Sequence, residues 1–156
     1  MTERRGPPAD PVLGDLPDVN VWLAMAVKQH PHHEVAASYW KGLAGRRVWF
    51  CRVTMLALVR LLSQPKVMGE QALNLAHAFA AYQRFASLPE IGFCAEPADC
   101  AGQLRRRLSA DVPARLLTDA YLAAFAESAG LRMVTFDRDF ERFEGLDRLH
   151  LIAARR

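Results

Sequence analysis

LRMVTFDRDF (131–140) opens with an apolar run and closes with two aspartates one residue apart, straddled by aromatics. The first six residues read as a β-strand, because β-branched and aromatic side chains suit a pleated, buried surface. Asp137 and Asp139 then stand where such a strand would leave the core. One reading makes them helix caps, since an aspartate accepts orphan amide hydrogen bonds at a helix start. The other makes them metal ligands. The preceding stretch, LLTDAYLAAFAESAG (116–130), reads as a patterned helix with Thr118 or Asp119 at its start and Gly130 as its C-terminal stop.

Strands and helices alternate along the rest of the chain. VLGDLPDV (12–19) is expected to be a first strand ending near Asp18, and NVWLAMAV a helix that Pro31 breaks. HHEVAASYWKGLAG (32–45) reads as a second helix stopped by Gly45. RRVWFCRV (46–53) reads as a strand and TMLALVRLLS (54–63) as a helix with Thr54 at its N-cap. Glu70 to Ser87 has the period of one long amphipathic helix, EIGFCA (90–95) that of a short strand, and the chain through QLRRRL that of a helix. LHLI (149–152) supplies a fifth strand. The alternation predicts an α/β fold with a central, mainly parallel sheet of four to five strands. Residues 1–11 read as a disordered lead-in and 12–156 as a single domain.

Composition excludes several classes. The chain has 156 residues, 51% hydrophobic and 24% charged, with a net charge of +3 and a pI near 9.0. That mild basicity permits a polyanionic partner. Cys51, Cys94 and Cys100 are widely spaced, so neither a disulfide framework nor a zinc site is indicated. No stretch reaches the roughly 18 consecutive apolar residues of a membrane span. A soluble, cytoplasmic protein is expected. His30, His32 and His33 lack the spacing that would put three imidazoles on one helical face. A structural or surface role suits them better.

In parallel sheets, ligands bind outside the C-terminal strand ends, at a switch in strand order. Asp18 follows the first strand, Asp137 follows the fourth, and Asp119 opens the helix between. The three acids therefore have a plausible meeting point. PDVNVWLAM (17–25), LLTDAYLAAFA (116–126) and LRMVTFDRDF (131–140) together resemble a PIN domain, most of all the VapC-type toxins of bacterial toxin–antitoxin modules. HPHHEVAASYW (30–40) and VTMLALVRLLSQPKVMG (53–69) resemble connecting segments of one branch of that family. The resemblance implies a three-layer α/β/α domain and a metal-dependent endoribonuclease using Mg²⁺, with Mn²⁺ as a substitute. It also implies an RNA substrate, a cognate VapB-type antitoxin and a homodimer.

Carried over by position, the resemblance assigns Asp18, Asp119 and Asp137 to the metal and to catalysis, and Asp139 to an accessory role. Asn20, Thr118 and Thr135 would hydrogen-bond the carboxylates or metal waters, and Arg60 could contact phosphate. Arg105–Arg107 reads as a solvated helix face. One position departs from the family: Met55 or a neighbour stands where many PIN domains carry a Glu. That departure motivates the alternative of a degenerate, non-catalytic PIN domain that binds protein or RNA. A phosphoacceptor receiver domain would need a late lysine, and the chain has none after Lys66.

Overall fold

The computed structural model describes residues 14–153. The 1–11 lead-in, and the first two residues of the strand expected at 12–19, lie outside that range. Five strands form one parallel sheet: β1 (Gly14–Pro17), β2 (Arg47–Phe50), β3 (Ile91–Phe93), β4 (Arg132–Thr135) and β5 (Arg148–His150). Their order is β3-β2-β1-β4-β5. The chain therefore winds outward from β1 in one direction, then restarts on its other side at β4. The switch lies between β1 and β4, the two strands that deliver Asp18 and Asp137.

The helices are α1 (Val19–Ala26), α2 (His33–Lys41), α3 (Arg52–Leu62), α4 (Pro65–Met68), α5 (Leu75–Ala86), α6 (Cys100–Arg107) and α7 (Leu117–Ala129). Strand alternation sends side chains to both faces. Leu16 and Met133 pack with Ala120, Ala123 and Phe125 of α7. On the other face, Val48 and Phe50 pack with Trp22, Leu58 and Tyr82 from α1, α3 and α5. Trp22 stacks on Phe50 at 3.7 Å between ring centroids. The result is a three-layer α/β/α fold.

Several boundaries differ from the sequence expectation. Helix α3 starts at Arg52, with Cys51 as N-cap, so Thr54 sits inside the first turn. Its hydroxyl accepts the Cys51 N–H at 3.0 Å and holds the strand-to-helix corner from within. The expected helix over 70–87 is two pieces: a 3-10 turn at Gly69–Gln71, then α5, whose Asn74 cap accepts the His77 N–H. Helix α2 ends at Lys41, before Gly45; the Gly42 N–H closes it on Ser38 and Tyr39, and Ala44 and Gly45 carry the positive-φ turn. Leu116 precedes α7, which places Thr118 and Asp119 in its first turn.

Asp15 shows what an acid inside an apolar strand can do. Its carboxylate is fully buried. Oδ1 accepts from Arg46 Nε at 2.8 Å and Arg132 Nε at 3.0 Å, while Oδ2 accepts from Tyr39 Oη at 2.7 Å and Arg132 Nη2 at 2.9 Å. One anion thus ties β1, β4, α2 and the entry to β2 together. Burial and the adjacent carboxylate push the Tyr39 phenol up, which keeps it a donor. Breaking a buried pair strands the remaining charge, at about 3–5 kcal/mol. Both arginines reach solvent in part, so Asp15→Asn should cost about 3 kcal/mol, the lower end. Urea unfolding checks this; an unchanged midpoint would show that the hub does not hold the strands.

Candidate metal centre

The rim between β1 and β4 is assembled by local backbone chemistry. Pro17 ends β1, and Asp18 caps α1 by accepting the Val19 N–H on Oδ1 at 2.7 Å. Its other oxygen accepts from the Thr135 hydroxyl at 3.1 Å. Thr135 is fully buried at the end of β4, and its Oγ1 also accepts the Asp137 N–H at 2.9 Å. Asp137 caps the 3-10 turn Arg138–Arg142, its Oδ1 accepting the Asp139 N–H at 2.8 Å. The capping reading of TFDRDF therefore holds for Asp137. It uses one carboxylate oxygen and leaves the other.

Asp119 reaches the same rim from the first turn of α7. One carboxylate oxygen each from Asp119, Asp137 and Asp139 lies within 4.8 Å of the others. Asp18 sits behind this trio, buried, with both oxygens already engaged. Asp139 is the member that sequence position alone ranks lowest, and geometry moves it into the trio. It also pairs with Arg115 at 2.9 Å. Arg115 was not singled out in the sequence; the available signal was its place four residues before Asp119, at the entry to the same helix.

The remaining candidates divide. Asn20 follows Asp18 in α1, and its Oδ1 is buried without a hydrogen-bond partner. Thr118 is exposed and bonds to none of the acids among the described residues. Arg60 is exposed in the last turn of α3, roughly 12 Å along the axis from the helix start. Met55 is buried in α3, so no carboxylate enters from that position. Arg107 is spent on α7, pairing with Glu127 at 2.6 Å.

Electrostatics register the convergence. The Asp119 carboxyl is pushed up to about 6, by burial first and then by Asp18, Asp137 and Asp139, with Arg115 opposing. Asp18 is also raised to about 6: burial dominates, the Val19 and Thr135 hydrogen bonds oppose it, and Asp137 adds to it. Clustered anionic oxygens fit a hard divalent cation such as Mg²⁺, which takes oxygen ligands and often only one or two carboxylates. Such a cation would be held by Asp119, Asp137 and Asp139, with Asp18 and Thr135 fixing the strand ends.

A raised acid pKa means that the folded state binds its proton more tightly than the unfolded chain. The acids cost nothing below the unfolded value of 3.8, destabilise progressively as pH climbs to about 6, and exert their full penalty above it. Metal-free Asp119→Asn should therefore melt higher than wild type at neutral pH, and the gap should close below pH 3.8. Each kcal/mol gained corresponds to about 2–4 °C. Melting curves across pH in EDTA measure this; a mutant that melts lower at neutral pH would mean that Asp119 serves only the helix start.

The PIN domain family model matches residues 16–146. Ribonuclease VapC41 of Mycobacterium tuberculosis is 36% identical over 142 residues, covering 87% of this chain and 97% of that relative. Ribonuclease VapC44 of the same organism is 32% identical over 129 residues, covering 78% and 84%. Among solved structures, the M. tuberculosis sarcin-ricin loop cleaving toxin VapC20 superposes with a TM-score of 0.63 at 20% identity, covering 90% of this chain and 98% of that one. VapBC2 from Rickettsia felis, bound to a promoter DNA fragment, superposes at 0.67 with 13% identity, covering 90% and 100%. These last two likenesses show the fold. With the family model covering most of the chain and all four rim acids, the chain belongs to the PIN-domain family, among the VapC ribonucleases.

Proposed function

We propose that this protein is the toxin of a type II toxin–antitoxin module, an endoribonuclease that hydrolyses RNA phosphodiester bonds at the β1–β4 rim. The observation that carries this reading is the meeting of Asp119, Asp137 and Asp139 within 4.8 Å, from the start of α7 and the turn after β4. Bound Mg²⁺, or Mn²⁺ in its place, would neutralise charge on the phosphate and acidify a water for attack. Asp137 Oδ1 is fixed by the Asp139 amide, so the carboxylate is oriented before substrate arrives. Asp119 would hold the same cation from the first turn of α7, and the proton of the attacking water would pass to solvent. Asp18 and Thr135 hold the two strand ends in register. Phosphorus gains the water oxygen, the ester bond to the leaving ribose oxygen breaks, and that oxygen is protonated.

A VapB-type antitoxin as partner is supported by the solved VapBC assemblies that share this fold. Exposed Leu56, Val67, Leu75 and Phe79, on and beside α3 and α5, offer apolar surface for a second copy of the chain in a homodimer. No helix among the described residues is long and apolar enough to cross a membrane, and RNA cleavage in the cytoplasm fits this. The loss of an acid at Met55 favours the non-catalytic alternative, but the remaining acids still converge.

Purified protein free of antitoxin should cleave structured RNA with Mg²⁺ or Mn²⁺ and stop in EDTA. Asp137→Asn should lower the rate roughly 100-fold or more, since even outer-shell partners of a metal are worth about 10–100-fold. Expressed alone in bacteria, wild type should arrest growth, the neighbouring gene should relieve the arrest, and Asp137→Asn should be harmless. An Asp137→Asn protein as toxic as wild type at equal abundance would remove Asp137 from the mechanism.

A further inference from the structure

A cleft of about 430 Å³ opens past the end of β4, lined by His32, Phe136, Arg138, His150, Leu151 and Ile152 among others. Phe136 directly precedes Asp137 and Arg138 directly follows it. Phe136 packs with Val21, Val134 and Leu151, on the face of the sheet away from α7, so the cleft and the candidate metal centre lie on either side of the rim at the end of β4. The cleft wall is aromatic: the His32 ring stacks on Phe136 at 4.7 Å between centroids, with 24° between planes. Both rings are only partly buried.

The surrounding bonds hold this wall in place. His150 Nε2 lies 3.0 Å from the Phe136 carbonyl oxygen, pinning the backbone at the exit of β4 to β5. The His32 N–H donates to His30 Nδ1 at 3.1 Å, fixing the approach to α2. His32 Nδ1 is itself buried and unpartnered, so the ring is positioned by stacking and not by a hydrogen bond at that atom. Arg138 stands exposed at the mouth, its contact to Glu141 a long 3.5 Å. The cleft thus combines a π surface, an apolar floor of Leu151 and Ile152, and a guanidinium at its edge.

Resting on the nuclease reading above, we infer that this cleft takes an unpaired nucleobase of the RNA, next to the phosphate that is cut. Single-stranded nucleic acid is gripped by aromatic faces on which bases stack, together with cations that follow the phosphates. A base stacked beside Phe136 and His32 leaves its flanking phosphate near the exposed Arg138, and the strand then crosses the end of β4 toward Asp137. Phe136 and His32 then select for an unstacked base, and Arg138 positions the backbone. A duplex would not offer that base. The site therefore biases cutting toward loops and bulges.

The test uses a fluorescein-labelled single-stranded RNA of random sequence and an abasic ribose-phosphate oligomer of equal length. Binding is read by anisotropy in EDTA, with wild type, Phe136→Leu and Arg138→Gln. Phe136→Leu keeps the bulk and removes the π face; it should weaken RNA binding roughly tenfold, the scale of one stacked base, and leave the abasic oligomer unaffected. Arg138→Gln should weaken both. Equal loss on both probes for Phe136→Leu, or loss on neither, overturns the nucleobase site; melting curves identify a variant that has merely unfolded, and His32→Leu then replaces it in the same comparison. Cleavage assays separate the two readings. Base-dependent binding without any cleavage would sink the nuclease and keep the cleft, whereas unaltered cleavage and KM in Phe136→Leu would keep the nuclease and sink the cleft.

Discussion

A single buried hydroxyl governs the geometry of the rim. Thr135 Oγ1 donates to Asp18 and accepts from the Asp137 amide, so one atom fixes the exits of β1 and β4 relative to each other. Backbone pairing supports the same junction, with the Asp18 N–H on the Val134 carbonyl at 2.8 Å. Each bond is worth only about 1 kcal/mol of net stability. Their value is positional: two of the carboxylates that repel one another are tethered through the main chain. Asp137 is held by the Asp139 amide and Asp18 by the Val19 amide.

The protein treats its acids in two opposite ways. Asp15, on the same strand as the approach to Asp18, is buried against two arginines and a phenol, and its charge is compensated within the sheet. Among the described residues, the rim acids receive one exposed cation, Arg115 on Asp139, and otherwise repel each other. That imbalance costs stability without metal and creates demand for a divalent cation. The strand order explains the location, because the winding reverses between β1 and β4 and no crossover helix can cover that junction.

Sequence periodicity revealed the order of strands and helices, because each segment buries one face and the pattern records it. Helix ends were less legible. Thr54 is of the residue type that caps helices, yet its hydroxyl serves the Cys51 N–H from inside the first turn. The Asp15 hub was invisible in the sequence: Arg132 lies 117 residues away, and an acid in an apolar strand looks like an interruption. At the rim, Asp18, Asp119 and Asp137 could be placed from strand and helix ends alone. The closeness of Asp139 could not, since it depends on a tight 3-10 turn and on the side-chain directions that turn imposes.

The central claim is that acids from separate segments jointly hold one divalent cation. A calorimetric titration of Mn²⁺ into wild type, Asp119→Asn and Asp137→Asn tests it most directly. Each substitution removes a negative charge and keeps the side-chain shape, so both variants should lose most of the wild-type affinity while remaining folded by circular dichroism. Wild-type affinity retained in both would contradict a shared site and reduce these aspartates to caps.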